Sequence, residues 1–296
     1  MFAFKKLGLC LSLLIVILTF VGCPSKYAVL ISANQVSNDD IAYHSTWWYD
    51  LVLMYRTLLE NGFEEENIFV LYADGNDFPS SHSCYNATTQ FGHSITDYPN
   101  SKTDIENIFF WLSSGNAAEG ILPVDNDDFL FVWWMGHGEG EGSDYCDLTM
   151  DITNRGEEVS DVEFAGYLNG LSAFDKRLVL IMTCHSGGML DNLDVAGTNT
   201  INLTSSTCHE NSHDGSGYDV NHAEFNYESS VALRTLVPIL TGSCSSDATS
   251  CDSDGNGNIS VDECFSCVAA NMTTSTPQMI DTDGLASTTE IVRDQP

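Results

Sequence analysis

The chain has 296 residues, of which 43% are hydrophobic, so it is long and apolar enough to bury a substantial core and is not a disordered protein. It carries 42 acidic residues against 10 basic ones, a formal net charge of −32 at pH 7. Such a surface repels nucleic acid and anionic lipid headgroups, so we expect neither as a partner, and it attracts cationic substrates.

The chain begins with a segment typical of an export signal. Two lysines precede an almost unbroken apolar run over residues 7–21, which is short for a membrane-spanning helix of about 20 residues. The run leads into Gly22-Cys23 and resembles a bacterial lipobox, in which the cysteine is lipidated. We therefore predict a signal peptide at 1–22 and a lipid anchor on Cys23, with ordinary secretion as the alternative. The protein is expected in the cell envelope or outside the cell.

The predicted elements that follow alternate between strands and helices. In chain order they are a strand at 27–33, a helix at 47–60, a strand at 67–73, a long surface loop at 76–100, a helix at 103–112, a strand at 129–135, a loop or hairpin at 139–158, a helix at 161–168, strands at 177–183 and 200–204, helices at 229–240 and 261–271, and a terminal strand at 276–280. Continuous apolar strands separated by helices predict a three-layer α/β fold with a mainly parallel central sheet flanked by helices.

Two consecutive core strands lead into reactive residues flanked by glycine. One is followed by Gly136-His137-Gly138 and the other by Cys184 and the sequence His-Ser-Gly-Gly. Functional groups of such sheets gather beyond the carboxyl ends of the strands. A free cysteine has a pKa of about 8.5 and needs a cationic neighbour to act as a nucleophile at neutral pH, which a histidine provides. We predict Cys184 as nucleophile, His137 as general base, and the N–H groups of Gly138 and Cys184 as oxyanion donors.

Each motif taken alone has a simpler interpretation. A buried cysteine after a strand is often only a small hydrophobic residue, and Gly-His-Gly is often a plain turn. The two motifs together favour catalysis. His185 is predicted to be a neighbour in the turn and not the base, and five further histidines are predicted to be surface residues: His82, His93, His209, His213 and His222.

The two motifs resemble those of the clan that contains caspases, metacaspases, gingipains and legumains. The sequence Cys-His-Ser-Gly-Gly from Cys184 is similar to metacaspases, whereas the wider pattern of residues 27–240 resembles legumain, notably in 27–73, 97–112 and 200–214. The resemblance implies a caspase-like fold and a cysteine endopeptidase that cleaves protein or peptide substrates through an acyl-enzyme.

The sequence departs from the legumain pattern in the substrate pocket. Legumains help hold an asparagine side chain with an arginine in the first loop and a glutamate two residues before the nucleophile, and the matching positions here are Thr46 and Met182. The resemblance places Ser205, Ser206 and the acidic Glu224 in the pocket. A pocket that keeps an acid without its arginine favours arginine or lysine before the scissile bond, so strict asparagine specificity is not expected.

A twelve-residue calcium-loop pattern lies near the C-terminus, with glycine at the sixth position for the turn. The predicted ligands are Asp252, Asp254, Asn256, Asn258, Ser260 and Glu263. Because no convincing helix precedes the loop, the motif resembles a single dockerin-like or EF-like loop. We expect bound Ca²⁺, either structural or as a gate of activity, and no organic cofactor.

The cysteines of an exported protein are expected to form disulfides. Apart from Cys10, Cys23 and Cys184, seven remain, an odd number that leaves at least one unpaired: Cys84, Cys146, Cys208, Cys244, Cys251, Cys264 and Cys267. The last four predict a local cross-linked cluster, with zinc as the alternative.

The sequence thus predicts a single caspase-like peptidase domain over 27–296 that includes a cysteine-rich, EF-like calcium loop at 244–267. Two alternatives stay open. One is a transpeptidase or ligase that uses the same acyl-enzyme, and the other is a catalytically silent, calcium-stabilised surface or binding protein.

Overall fold

The computed structural model describes residues 24–33, 41–140, 145–153, 157–171, 173–195, 199–216, 218, 220–234 and 251–290, with backbone alone at 41–45, 153, 194–195 and 234. The predicted signal at 1–22, the candidate lipidation site Cys23, Cys10 and Cys244 lie outside the described residues.

A six-stranded sheet forms the middle of the protein. Its strands are β1 (Lys26–Ser32), β2 (Ile68–Tyr72), β3 (Phe129–Met135), β7 (Lys176–Met182), β8 (Thr200–Thr204) and β9 (Gln278–Ile280). The order is β2-β1-β3-β7-β8-β9, and all neighbours are parallel except β9, which runs antiparallel to β8. Strands β1, β2, β3 and β7 are largely apolar, as expected of strands covered on both faces of a sheet.

Helices cover the sheet on both faces. The helices are α1 (Ile41–Glu60), α2 (Ala87–Phe91), α3 (Lys102–Ser114), α4 (Asp161–Asn169), α5 (Leu190–Val195), α6 (Glu224–Arg234) and α7 (Val261–Asn271). Side chains of α1, α6 and α7 share one core with Trp133, while those of α3, α4 and α5 share another with Trp134. Neighbouring residues of β3 thus serve opposite cores, as the pleat requires. The predicted three-layer α/β fold is confirmed.

The segment predicted as a loop or hairpin forms a small three-stranded antiparallel sheet of β4 (Gly138–Gly140), β5 (Leu148–Thr153) and β6 (Glu157–Ser160). Two helices start at capping boxes, α4 at Ser160 with Glu163 and α7 at Ser260 with Glu263. Each box satisfies backbone N–H groups at a helix start, which fixes where the helix begins. Within the described ranges, no helix combines the length and apolar character needed to cross a bilayer.

Candidate active site

The register of the central strands brings the two sequence motifs together. Met135 of β3 pairs with Met182 of β7, so the residues that follow the two strands emerge side by side at the carboxyl edge of the sheet. A cavity of about 400 Å³ lies there. Its lining residues are Thr46, Trp47, Met135, Gly136, His137, Met182, Cys184, Ser212, His213, Asp214 and Ala223. The structure thus places His137 and Cys184 in one cleft.

The Cys184 thiol is partly buried and points toward the backbone of the segment after β8. Its Sγ lies 3.7 Å from the carbonyl oxygen of Ser212, to which it donates. Burial raises the pKa of Cys184 above its ordinary value, and the hydrogen bond to Ser212 offsets this in part. No hydrogen bond joins Cys184 and His137 in the described structure. The resting thiol is therefore protonated at neutral pH.

His137 is held by an aromatic contact and by the small sheet. Its ring meets that of Trp47 edge to face, with centroids 4.7 Å apart and planes at 78°. Its carbonyl oxygen accepts from the N–H of Asp151 on β5 at 3.2 Å. Burial raises the pKa of Asp151, and attraction to His137 counteracts that rise. The Asp151 carboxylate therefore lies within electrostatic reach of His137.

Gly138 packs directly against the nucleophile's backbone. A Cβ atom at this position would collide with the carbonyl oxygen of Cys184 and would lie 2.7 Å from Oγ1 of Thr183, so only glycine fits. Antiparallel pairs alternate between bonded and non-bonded. Because His137 and Asp151 are bonded, the next pair, Gly138 and Met150, is the non-bonded type. The N–H of Gly138 consequently points away from β5.

His185 is engaged outside the cleft. It takes a left-handed backbone conformation at φ 59°, and its N–H donates to the carbonyl oxygen of Glu210 at 2.8 Å. Its Nδ1 lies 2.9 Å from the carbonyl oxygen of Cys208, and its ring stacks on Tyr145. These contacts agree with a turn neighbour, and the histidines that line the cleft with Cys184 are His137 and His213.

The placement of Ser205 and Ser206 in the substrate pocket is wrong. Both are fully buried and are absent from the cleft lining. The hydroxyl of Ser206 lies 3.0 Å from that of Ser186 and donates to the carbonyl oxygen of Thr183 at 3.3 Å, and Ser205 makes similar contacts. The two serines directly follow strand β8, and their hydrogen bonds to Thr183 and Ser186 hold the turn that carries the nucleophile.

Glu224 does not lie in the pocket either, which corrects the expectation from the resemblance. The side chain is 4% exposed at the start of α6, and its carboxylate accepts from the N–H and hydroxyl groups of Thr273 and Thr274. Burial alone raises the pKa of Glu224, but these hydrogen bonds outweigh it and lower the pKa below its ordinary value. The ionised carboxylate ties α6 to the segment after α7.

Asp214 is the carboxylate that does line the cleft. Burial raises its pKa, the negative charge of Asp50 raises it further, and His222 and His213 act in the opposite direction. Thr46 and Met182, which stand at the legumain arginine and glutamate positions, line the same cleft. The sequence held only a weak signal for Asp214, since it closes the 200–214 stretch that resembles legumain.

His222 is fully buried, so its prediction as a surface residue is wrong. Its Nδ1 lies 2.7 Å from Oδ1 of Asp50, and its Nε2 lies 2.8 Å from the hydroxyl of Tyr85. Asp50 also accepts from the N–H of Ala223 at 2.9 Å. Because Ala223 lines the cleft, this buried network fixes one of its walls.

Disulfides reinforce the nucleophile turn and the C-terminal region. Cys146 is bonded to Cys208 and Cys251 to Cys267, Cys84 is also disulfide-bonded, and Cys264 is free and buried. The local cross-link and the odd cysteine were predicted. Since Cys251 and Cys267 are bonded to each other, they do not supply the thiolates that the zinc alternative requires.

The calcium-loop pattern folds back on itself. Carboxylate oxygens of Asp252, Asp254 and Glu263 lie within 4.8 Å of one another. Asp252 accepts from the N–H of Gly257, which has φ +91°. Burial alone raises the pKa of Glu263, but hydrogen bonds, the first from Ser260, lower it to about 2. The other predicted ligands bond within the loop, Asn256 to Asp254, Asn258 to Asn256 and Ser260 to Glu263.

The geometry defines the class of protein as a caspase-like α/β fold with a cysteine and a histidine after adjacent central strands. The model of the peptidase C13 family matches residues 26–230, and the chain belongs to that family of cysteine peptidases, which includes legumain. The protein GSU0716 from Geobacter sulfurreducens is similar in structure, with 13% identity, coverage of 87% of this chain and 93% of that chain, and a TM-score of 0.49. No curated protein matches the chain.

Proposed function

We propose that the protein is a cysteine endopeptidase in which Cys184 is the nucleophile and His137 is its proton acceptor and donor. The observation that carries the proposal is that both residues line one cleft of about 400 Å³ in a chain of the peptidase C13 family. The cleft is large enough for a substrate side chain beside the thiol.

The reaction begins with proton transfer, because burial keeps the Cys184 thiol protonated. His137 accepts the thiol proton as the substrate enters, since catalytic hydrogen bonds often form only in the complex. The thiolate attacks the peptide carbonyl carbon, and the tetrahedral intermediate collapses to an acyl-enzyme as His137 protonates the leaving amine. Water then attacks the acyl-enzyme with His137 as base, which releases the acid and restores the thiol.

The oxyanion of the tetrahedral intermediate is stabilised by the N–H groups of Gly138 and Cys184. The orientation of Gly138 away from β5 and its contact with the Cys184 backbone support this assignment. A donor of this kind is typically worth about 3 kcal/mol in the transition state.

The test is hydrolysis of fluorogenic peptides by the full chain beside Cys184→Ala and His137→Ala. The proposal expects turnover by the wild type and none by Cys184→Ala. Added amines that yield ligated products faster than hydrolysis would support the transpeptidase alternative. Absence of turnover, together with slow reaction of Cys184 with a thiol reagent, would support the silent binding protein.

The loop from Asp252 to Glu263 is proposed to bind Ca²⁺ in a structural role. The supporting observation is that Ile259 and Val261, within the loop, are fully buried in the core shared with α1 and α6. An ion that neutralises the carboxylates would stabilise this packing. We expect Ca²⁺ to raise the melting temperature relative to a chelator, and Asp254→Asn to weaken the effect. Equal melting temperatures and equal turnover in both conditions would reject the site, whereas a change in turnover without a stability change would indicate gating.

Residues 1–22 are proposed to direct export, with Cys23 as the lipidated residue. In a bacterial host, the wild type is then expected in the membrane fraction with incorporated palmitate, and Cys23→Ser in the soluble fraction without it. Incorporation that survives in Cys23→Ser would contradict the anchor.

A further inference from the structure

The cleft beside Cys184 is apolar along its walls and holds one carboxylate. Trp47, Met135, Met182 and Ala223 supply the apolar surface, and Asp214 is the acidic residue. No lysine or arginine is present among the lining residues. A cleft of this composition suits a side chain with an aliphatic stem and a positive end.

Asp214 is held on a fixed piece of backbone. It forms an isolated antiparallel bridge with Ala223, flanked by bonds from Gly215 N–H to the His222 carbonyl oxygen at 2.9 Å and from Glu224 N–H to the His213 carbonyl oxygen at 3.1 Å. The buried Asp50 network holds Ala223 from behind. The backbone that carries Asp214 is therefore in place before a substrate arrives, which reduces the entropy lost on binding.

The Asp214 carboxylate lacks a compensating partner. It makes no hydrogen bond within the described part of the chain, and Asp214 is exposed to solvent at the cleft. The buried Asp50 adds negative charge behind it, with His222 and His213 as the groups that oppose it. The rest of the protein adds to the negative field, with a net charge of −32. A cation in the cleft would pair with a carboxylate that the protein leaves unpaired.

Thr46 supplies a second polar group. It lines the cleft, is 2% exposed, and its hydroxyl oxygen has no hydrogen-bond partner among the described residues. A buried hydroxyl is normally hydrogen-bonded, so an unpaired one beside a cleft is a site for a ligand donor. A guanidinium or ammonium group offers several such donors.

We infer that the cleft selects an arginine or lysine side chain before the scissile bond, with Asp214 as the specificity-determining residue. This inference rests on the proposed peptidase function. Met182 and Trp47 cover the aliphatic stem, the Asp214 carboxylate pairs with the charged end, and the Thr46 hydroxyl accepts one further N–H. Charge-assisted pairing of this kind corresponds to about a 10- to 100-fold preference over a neutral side chain of the same shape.

The experiment uses peptides that differ only in the residue before the scissile bond, namely arginine, lysine, citrulline, asparagine and leucine. Citrulline is the neutral counterpart of arginine with nearly the same shape. Wild type, Asp214→Asn and Glu106→Gln are compared by kcat/KM. Glu106 is exposed on α3, on the other face of the sheet, so Glu106→Gln removes the same unit of charge away from the cleft.

The wild type and Glu106→Gln are expected to prefer arginine over citrulline about 10-fold or more, and Asp214→Asn is expected to bring that ratio near unity. Retained cleavage of the citrulline peptide by Asp214→Asn shows that the variant is folded. Equal cleavage of neutral and basic peptides by the wild type, or an unchanged ratio in Asp214→Asn, would overturn the inference and leave the peptidase proposal standing. Failure of every peptide to be cleaved would overturn both.

Discussion

The carboxylate of Glu224 provides a prediction that separates a structural role from a role in substrate recognition. It accepts four hydrogen bonds, two from Thr273 and two from Thr274, and it is 4% exposed. In Glu224→Gln one carboxylate oxygen becomes an NH₂ group. That group faces a backbone N–H donor, so one buried N–H is left unpaired and one hydroxyl must reorient.

The cost follows from these contacts. Glu224→Gln loses hydrogen bonds to a charged acceptor and leaves one buried N–H unsatisfied. Together these changes should lower the free energy of unfolding by about 2–3 kcal/mol. For a domain of this size that corresponds to roughly 4–12 °C in melting temperature. The pKa of Glu224 is held below its ordinary 4.5. Its contribution is therefore fully present above that pH and is lost as the pH falls through the folded-state value.

Urea denaturation and the five-peptide assay are performed on Glu224→Gln and on Glu228→Gln, a matched control on the same helix. Glu228 accepts one hydrogen bond, from the Tyr218 hydroxyl at 3.0 Å, so its replacement should cost less than about 1 kcal/mol. Glu224→Gln should lose stability and keep the arginine preference. Unchanged stability with a lost preference would refute the structural role and return Glu224 to the pocket.

Three further predictions concern the cleft and its supports. Trp47→Ala should lower kcat/KM about 3- to 10-fold, because it removes the aromatic partner of His137. Trp47→Phe keeps an aromatic ring and should stay near the wild-type value. An equal loss of kcat/KM in both variants would contradict that role. Replacing Cys146 and Cys208 by serine should cost about 4 kcal/mol in urea denaturation, since the cross-linked residues are 62 apart, and an unchanged midpoint would contradict this. Burial raises the pKa of Asp214 above its ordinary value of 3.8, and protonation removes the charge of the carboxylate. As the pH is lowered, the arginine-over-citrulline ratio of the wild type should therefore begin to fall while the pH is still above 3.8. The ratio of Asp214→Asn should not change with pH.

Local patterns in the sequence predicted the elements that make the sheet. The strands at 129–135 and 200–204 and the helix at 261–271 begin and end where the sequence predicts. Buried parallel strands are continuous apolar runs, and a capping residue marks the helix start, so both signals are local. The small sheet formed by β4, β5 and β6 was less accessible, because glycine-rich acidic stretches lack a clear periodicity.

The placement of His137 and Cys184 in one cleft was predictable because each follows a buried strand of the same sheet. The buried state of His222 was not, since its partner Asp50 lies 172 residues away in the sequence. Resemblance assigned Glu224 to the pocket by position, but it could not show the competing donors of Thr273 and Thr274. The position of Asp214 in the cleft likewise depends on the three-dimensional course of its loop, which the sequence alone does not show.

The most direct test of the central claim is covalent capture of the nucleophile by a peptidyl acyloxymethyl ketone, read by intact mass and peptide mapping. If Cys184 is the nucleophile, we expect one equivalent of label on Cys184, no label in Cys184→Ala, and much slower capture in His137→Ala. Cys184 would not be the nucleophile if the ketone left it unmodified in the folded protein, although iodoacetamide modified the same thiol after unfolding.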